Sequence, residues 1–312
     1  MKIKNPVLSV ENVGRRDAGD PYIIRENGMY YYCYTCEEGV AISRFESLAD
    51  IEKGEVKIVY DRKAEGANDT SWFAPELHKI DDRWYIYAAP GCMGDPGCHS
   101  MHVLRSLSDD IYGEYEYCGN MRGLEGKWAI DGTVFTHEGK LYMALSKDGI
   151  TIVPLLDPLT LEGQGSVITT ASKEWERVMS PVVEGSFMLK KGKYLHMLYA
   201  ASDCRSDAYC LGLLTFSGGD ITDPACWKKS DGPVFRMTDG IYGPGHCSVT
   251  SYTDKNGEER DLLVYHATRQ SNGWEESKNG FNLKRCVYYG EIKWENDYPV
   301  LGTPQHEIDL NI

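Results

Sequence analysis

Short apolar runs dominate the hydrophobic pattern of the chain, and long stretches of helical periodicity are missing. The runs are rich in Val, Ile, Tyr, Phe and Trp, and turns containing Gly, Asp or Asn separate them, as around MYYYCYT, KLYMALS and KYLHMLYA. Strand-forming runs bounded by such turn residues are typical of β-hairpins. The pattern therefore predicts an all-β protein.

The predicted hairpins share a layout that recurs along the chain. In GDPYIIRENGMYYYCYT, IDGTVFTHEGKLYMALS and VEGSFMLKKGKYLHMLY, an acidic residue precedes a Gly by eight positions, and two looser copies follow the same order. Successive leading residues are 56, 55, 53 and 62 positions apart. A period near 55 predicts a five-bladed β-propeller over residues 1–312 as a single domain. A two-domain β-sandwich is the alternative, but it gives no reason for this register. The leading residues are Asp20, Glu76, Asp131, Glu184 and His246.

The shared register has a chemical consequence at one end of the propeller axis. Innermost strands of a propeller run side by side, so Asp20, Asp131 and Glu184 are predicted to lie in one ring with His246. Several carboxylates around a narrow mouth are costly, because burial and like charge both oppose ionisation. Any one of them alone is typical of a turn or cap residue. Three in matched register indicate a functional site.

Composition narrows the ligands that such a site would accept. The 312 residues carry 33 basic and 47 acidic side chains, a formal net charge of −14, which argues against nucleic acid and anionic lipid. A neutral sugar is more compatible with this negative charge.

No apolar run is long enough to span a membrane or to form a signal peptide, so we expect a cytoplasmic protein. The ten cysteines are scattered and are predicted to be mostly reduced core residues.

Nine motifs follow one another along nearly the whole chain. They are DPYIIRENGMYYY, SWFAPELHKIDDRWYIYAA, HSMHVLRS, WAIDGTVFTHEGKLY, VVEGSFMLKKGKYLHMLYAAS, YCLGLLT, GPGHCSV, LLVYHAT and RCVYYGEIKWENDYPVLGTP. In this order they resemble glycoside hydrolase family 43, and its arabinofuranosidase branch most. The family consists of five-bladed propeller enzymes that act on arabinose- and xylose-containing glycans.

The resemblance implies a role for each carboxylate. Asp20 would be the general base, Glu184 the general acid, and Asp131 the residue that tunes the acid and orients substrate, with inversion at the anomeric carbon. The repeat agrees with these roles. Blades three and four are neighbours, so Asp131 would lie close to Glu184 and its negative charge would keep Glu184 protonated. Blades one and four lie two steps apart, as the acid–base separation of an inverting enzyme requires.

Asp17 is a rival candidate for the base, but it lies outside the repeat register. Arg285 matches a family Arg that reaches toward the carboxylates, although an exposed strand Arg is the alternative.

Other positions are implied to line the site. Trp72 and Phe73 precede APE and would stack on a sugar face, with Trp72 preferred, although both also fit a core role. His246 matches a site-lining His, often beside a water-bound cation, so a calcium-like structural ion near the axis is an expectation. The reaction itself needs only carboxylates and water, so no cofactor is required. Cys247 stands where the family usually has Asn.

Two further segments carry weaker signals. Cys98, His99 and His102 look like a metal cluster in isolation, but the family aligns this segment with a plain strand. The loop Gly273–Asn282 is predicted to be a solvated surface loop, within which Trp274 would border the pocket.

Together these observations predict an inverting, exo-acting hydrolase. It would release terminal α-L-arabinofuranosyl residues from arabinan- or arabinoxylan-derived oligosaccharides. A β-xylosidase is less favoured because the chain ends soon after blade five, and an endo-arabinanase because it needs an open groove for polymer. A carbohydrate-binding propeller without catalysis is the alternative from another class, although it would have no need for three carboxylates in register.

Overall fold

Five antiparallel sheets, one for each copy of the repeat, make up most of the molecule. The computed structural model describes residues 1–13, 17–63, 69–92, 98–273 and 284–312. Consecutive strands pair with each other within the sheets, as expected where tight turns join antiparallel neighbours.

The first three blades follow one another along the chain, after the short strand β1 (Lys2–Lys4). Blade one contains β2 (Tyr22–Glu26), β3 (Met29–Thr35), β4 (Gly39–Phe45) and β5 (Glu55–Asp61). Blade two contains β6 (Asp69–Ile80), β7 (Arg83–Cys92), β8 (His102–Ser106) and β9 (Tyr115–Asn120). Blade three contains β10 (Ile130–His137), β11 (Lys140–Ser146), β12 (Ile150–Asp157), β13 (Thr160–Leu161) and β14 (Ser166–Thr169).

The remaining elements complete the ring and its edge. Blade four contains β15 (Val183–Lys191), β16 (Tyr194–Ala201), β17 (Cys210–Phe216) and β18 (Trp227–Lys229). Blade five contains β19 (Tyr242–Thr253), β20 (Glu259–Thr268) and β21 (Cys286–Glu291). Three short strands follow, β22 (Lys293–Glu295), β23 (Tyr298–Val300) and β24 (Glu307–Asp309). The described helices are short: α1 (Val10–Val13) and the 3-10 turns Leu48–Lys53, Glu174–Glu176 and Pro224–Cys226.

The first strand of each blade lies innermost, and these five strands form a closed ring. β2 contacts β6, β6 contacts β10, β10 contacts β15, β15 contacts β19, and β19 returns to contact β2. The predicted five-bladed propeller is therefore confirmed, and the β-sandwich alternative is not formed.

Aromatic side chains on the second strands fill the space between blades. Tyr32, Tyr87, Tyr199 and Tyr265 come from blades one, two, four and five, and none has exposed surface. Large rings bury much apolar area with few rotatable bonds, which explains why a Tyr-rich chain suits this fold. Densely packed blades hold the inner strands rigidly and so fix the residues at their axial ends.

The N-terminal segment closes the ring. Leu8 bridges Val287 of β21, taking the outer position of blade five, and β1 pairs with β24 near the C-terminus. Asn5 reinforces this closure, because its side-chain amide donates to the Tyr289 and Gln305 carbonyls at 2.8 Å each. It also accepts the Tyr289 backbone N–H at 2.9 Å. The first and last blades are thus tied together through the chain ends.

Candidate active site

In every blade a residue with left-handed backbone lies just before the innermost strand or within its first half. In blades two to five it lies where the pairing register of that strand shifts. Such β-bulges bend a strand and redirect side chains, and they are frequent beside active sites. The repeat predicted from the sequence is therefore visible in the backbone itself. These residues and their φ angles are Asp20 (55°), Ala74 (42°), Asp131 (55°), Gly185 (56°) and His246 (38°).

This backbone register corrects one detail of the prediction. Asp20, Asp131 and His246 share the left-handed position, but Glu184 stands one residue before Gly185. In blade four the last strand residue before the hairpin turn is Lys191, which pairs with Tyr194, and in blade three it is His137, which pairs with Lys140. Blade four therefore has one more residue than blade three between its carboxylate and its hairpin turn. Glu76 of blade two likewise lies two residues beyond its bulge residue.

Asp20 is held by cationic and imidazole groups on three sides. Its Oδ1 lies 2.8 Å from Arg285 Nη1, 3.3 Å from His246 Nδ1 and 3.4 Å from His266 Nδ1. Burial disfavours the ionised form, but the Arg285 charge, followed by that of His246, outweighs it and holds the pKa of Asp20 well below its usual range. The carboxylate is therefore ionised at all ordinary pH values, as a general base must be.

Arg285 is a partly buried clamp between two aspartates, directly before β21, and is not an exposed strand residue. Its Nε is 2.9 Å from Asp17 Oδ2, its backbone N–H donates to Asp17 Oδ1 at 2.9 Å, and its Nη1 reaches Asp20. Gly19 makes this possible, because a Cβ there would meet the guanidinium carbon at 1.9 Å. Asp17, the rival base, is thus placed against the guanidinium and its backbone.

Glu184 lies in the opposite electrostatic environment. Burial, followed by the negative charge of Asp131, raises the pKa of Glu184 to about 8. The Tyr209 hydroxyl donates to Glu184 Oε1 at 2.8 Å. Burial also raises the pKa of Asp131 to about 6, where His246 opposes the rise. Between these values Asp131 is ionised and Glu184 protonated, which is the pairing that a general acid needs.

Asp131 is fixed by the bulge of the next blade. Its Oδ2 accepts the Gly185 backbone N–H at 3.0 Å and lies 3.9 Å from His246 Nδ1. The hydrogen bond joins Asp131 to the residue directly after Glu184. Blades three and four therefore lie close together at this end of the axis, as predicted.

His246 joins the two aspartates, since its Nδ1 faces both Asp20 and Asp131. Burial lowers the pKa of His246, but the charges of Asp20 and Asp131 outweigh it and raise the pKa above its ordinary value. Within the described ranges, no group of three or more His, Cys, Asp or Glu side chains is arranged to hold a metal. The calcium-like ion expected near His246 therefore stays a prediction.

The two aromatic residues before the APE motif, Trp72 and Phe73, differ in exposure. Trp72 has no exposed surface and packs in the core against Tyr60, with ring centroids 4.6 Å apart. Phe73 is 37% exposed and stacks on His99 at 4.0 Å. A fully buried ring offers no face to a sugar, so the preference for Trp72 does not match the structure, and Phe73 is the surface aromatic of the pair.

The remaining candidates take structural positions. His99 Nδ1 lies 3.0 Å from the Ala89 carbonyl, and His102 Nδ1 contacts the Tyr117 hydroxyl at 2.5 Å. Cys247 is buried in the core. Eight described cysteines are free, as predicted, but Cys98 is disulfide-bonded. Trp274 and the rest of its loop through Asn282 lie outside the described residues.

Two site residues were missed at the sequence level. His266 and Tyr209 lie within the motifs LLVYHAT and YCLGLLT, but neither belongs to the repeat register. They reach the site from the second strand of blade five and from the residue before β17 in blade four. Their motif membership was the available signal, and their contacts with Asp20 and Glu184 join residues far apart in sequence.

Several characterised proteins are similar to this chain. An extracellular exo-α-(1→5)-L-arabinofuranosidase of Streptomyces chartreusis is 32% identical over 272 residues, 82% of each chain. The α-L-arabinofuranosidase B of Pyricularia oryzae is 28% identical over 328 residues, which cover 99% of this chain and 65% of the relative. The chain thus spans about two thirds of the length of some relatives.

The comparison also corrects the expected location. Two relatives, from Streptomyces chartreusis and Streptomyces avermitilis, are named extracellular enzymes, so the prediction of a cytoplasmic protein is contradicted. Among the described residues, no helix has the length and apolar character needed to cross a membrane.

Solved structures and the family model agree on the family. The crystal structure of an α-L-arabinofuranosidase from Lactobacillus brevis superimposes with a TM-score of 0.85 at 25% identity and covers 97% of both chains. A thermostable family-43 glycoside hydrolase shares the fold, with a TM-score of 0.76. The model of glycosyl hydrolases family 43 matches residues 3–299. With this match and the propeller fold, the chain belongs to glycosyl hydrolases family 43.

Proposed function

We propose that residues 1–312 form one catalytic domain, an inverting exo-acting α-L-arabinofuranosidase. The observation that carries the proposal is the opposite charge state of two carboxyl groups at one end of the axis. Asp20 is kept ionised beside Arg285, and Glu184 is kept protonated beside Asp131. A base and an acid in one site are what a single-displacement hydrolysis requires. The names of the relatives support arabinofuranose as the sugar released.

In this mechanism Asp20 accepts a proton from water as the water oxygen attacks the anomeric carbon. Glu184 gives its proton to the glycosidic oxygen as the bond from that oxygen to the anomeric carbon breaks. The products are arabinose of inverted configuration and the shortened oligosaccharide. Asp20 ends protonated and Glu184 ionised, and exchange with solvent restores both. Arg285 and His246 hold the base in place, and Asp131 supplies the charge that keeps Glu184 protonated before the reaction.

The substrate is a neutral oligosaccharide from arabinan or arabinoxylan. An endo-acting arabinanase is a second candidate, because an arabinan endo-1,5-α-L-arabinosidase A of Aspergillus niger is 24% identical over 259 residues. Arabino-oligosaccharides labelled at the reducing end separate the two activities. Exo action releases arabinose from the first turnover, whereas endo action releases short oligomers. A panel including p-nitrophenyl β-D-xyloside tests the xylosidase alternative in the same assay.

The decisive variants remove one carboxylate at a time. Asp20→Ala is expected to abolish turnover of both p-nitrophenyl α-L-arabinofuranoside and arabinotriose. Glu184→Ala is expected to abolish turnover of arabinotriose but to spare part of the aryl activity, because p-nitrophenolate leaves with little protonation. Full activity of either variant on arabinotriose would contradict the proposal. A carbohydrate-binding protein without catalysis would turn over neither substrate even as the wild type.

A further inference from the structure

His266 contacts the proposed base through both the backbone and the side chain of Asp20. Its Nδ1 accepts the Asp20 backbone N–H at 3.0 Å and lies 3.4 Å from Asp20 Oδ1. The backbone hydrogen bond requires a lone pair on Nδ1, which places the proton on Nε2 of a neutral ring. Burial, followed by the Arg285 charge, lowers the pKa of His266 to about 4, in keeping with a neutral ring.

The same ring rests on Tyr209, which serves the proposed acid. The His266 and Tyr209 rings are stacked, 5.5 Å apart with 3° between their planes. The Tyr209 hydroxyl donates to Glu184 Oε1. His266 Nε2 has no hydrogen-bond partner within the described part of the chain. The ring is therefore oriented by Nδ1 on one side and by the face of Tyr209 on the other.

A glycine makes room for this stack. Gly245 pairs with His266 across β19 and β20. A Cβ at Gly245 would lie 2.3 Å from the Cδ1 and Cε1 atoms of Tyr209, so any side chain there would push the ring away. Both rings are buried, with exposures of 1% each. The backbone of blade five is thus shaped to admit the Tyr209 ring beside His266.

We propose that His266 is a positioning residue for the general base, and that the stacked His266–Tyr209 pair sets the placement of Asp20 relative to Glu184. The inference rests on the proposed roles of those two carboxylates. Asp20 has a left-handed backbone, which is strained in a non-glycine residue and persists only where neighbours hold it. The hydrogen bond from its N–H to His266 is one such support. The stack then links blade five to blade four, where the acid lies.

Such a link matters because an inverting enzyme depends on the distance between its acid and base. The attacking water must fit between Asp20 and the anomeric carbon while Glu184 still reaches the glycosidic oxygen. A misplacement of about 1 Å is enough to cost roughly 10²-fold in rate. Two flat, buried rings in contact resist such a displacement better than flexible side chains.

Two substitutions at His266 separate positioning from packing. His266→Asn keeps an acceptor oxygen near the place of Nδ1 but removes the ring. His266→Phe keeps the ring but removes the acceptor. Each variant is assayed for kcat and KM on p-nitrophenyl α-L-arabinofuranoside and on arabinotriose, and its melting temperature is measured.

If His266 positions the base, His266→Phe loses kcat by about 10²-fold on both substrates, because water must be activated whatever the leaving group. His266→Asn retains more activity than His266→Phe, and KM changes little in either. Tyr209→Phe, which keeps the stack but removes the hydroxyl bound to Glu184, loses about tenfold on arabinotriose and little on the aryl substrate. A packing role predicts the opposite order, with His266→Phe active and His266→Asn impaired, and would overturn the proposal.

Gly245→Ala provides a second route if a His266 variant does not fold. It displaces Tyr209 without touching a carboxylate and is expected to lower kcat at least about tenfold on both substrates. Gly290→Ala on β21 is the matched control, because its new Cβ would meet its nearest neighbours at 3.5 Å, an ordinary contact. Equal activity of the two glycine variants contradicts the proposal. If Asp20→Ala is inactive while His266→Phe matches the wild type, only the positioning role fails, whereas an active Asp20→Ala removes both proposals.

Discussion

Two carboxyl groups at one end of the propeller axis are held in opposite charge states by their neighbours. Asp20 faces Arg285 and two histidines, whereas Glu184 faces Asp131, whose negative charge raises its pKa against the opposing effect of the hydrogen bond from the Tyr209 hydroxyl. Both are partly buried, so desolvation alone would raise both pKa values. In the proposed mechanism, the sign of the nearest charge therefore decides which group serves as the base and which as the acid.

The pH dependence of the alkaline limb tests this division. Glu184 acts while protonated, so activity is expected to fall as the pH rises through about 8. Asp131→Asn removes the negative charge that raises this pKa but keeps an oxygen for the Gly185 N–H. We therefore expect the alkaline limb of kcat/KM to move to lower pH by about one unit or more. An unchanged limb, or one moved to higher pH, would contradict the assigned cause. The wild-type profile in the same buffers is the reference.

At the scale of single elements, the start of each innermost strand determines where a side chain points. The bulge gives Asp20, Asp131 and His246 the same left-handed backbone, and in blade four it falls on Gly185 instead. Sequence spacing predicted the recurrence, because the acidic residue and the turn Gly keep an eight-residue interval in three copies. It did not predict the one-residue offset of Glu184, because the position of the hairpin turn depends on which residues pair across it.

Gly185 illustrates how strictly this element is built. Its φ is +56°, and an added Cβ would lie 2.8 Å from His246 Cγ. Gly185→Ala is expected to cost about 1–3 kcal/mol in unfolding free energy and to lower kcat by displacing His246. Gly139→Ala in the blade-three turn is the control, since its φ is +74° but nothing lies within 4 Å of the new Cβ. It should cost about 1 kcal/mol and leave kcat unchanged. Urea unfolding with steady-state kinetics separates the two, and equal kcat losses would contradict the account.

At the scale of the whole molecule, the ring brings distant parts of the chain to one site. The repeat predicted five blades and placed Asp20, Asp131 and His246 correctly at one axial end. Residues outside the repeat were harder to place. His266 and Tyr209 reach the carboxylates only because neighbouring blades pack, and the buried position of Trp72 depends on Tyr60 and Tyr117 of other strands. Such contacts arise from tertiary packing, which a single sequence does not reveal.

Closure of the ring predicts the effect of a residue remote from the site. Asn5 makes two hydrogen bonds as donor and one as acceptor with Tyr289 of blade five and Gln305 of the C-terminal segment, and it is 9% exposed. Asn5→Ala leaves these buried backbone groups unpaired and should cost about 3 kcal/mol of unfolding free energy. The kcat of the folded enzyme should be unchanged at low temperature. Asn256→Ala, at an exposed turn position, is the control and should cost under about 0.5 kcal/mol. A similar loss in both variants would argue against this closure.

The configuration of the first-formed sugar tests the central claim most directly. An ionised Asp20 acting through water and a protonated Glu184 imply one displacement at the anomeric carbon. Proton NMR during the first minutes of hydrolysis of p-nitrophenyl α-L-arabinofuranoside should therefore show β-L-arabinofuranose before mutarotation. Initial release of the α anomer would mean two displacements through a covalent intermediate, and it would contradict the roles given to Asp20 and Glu184.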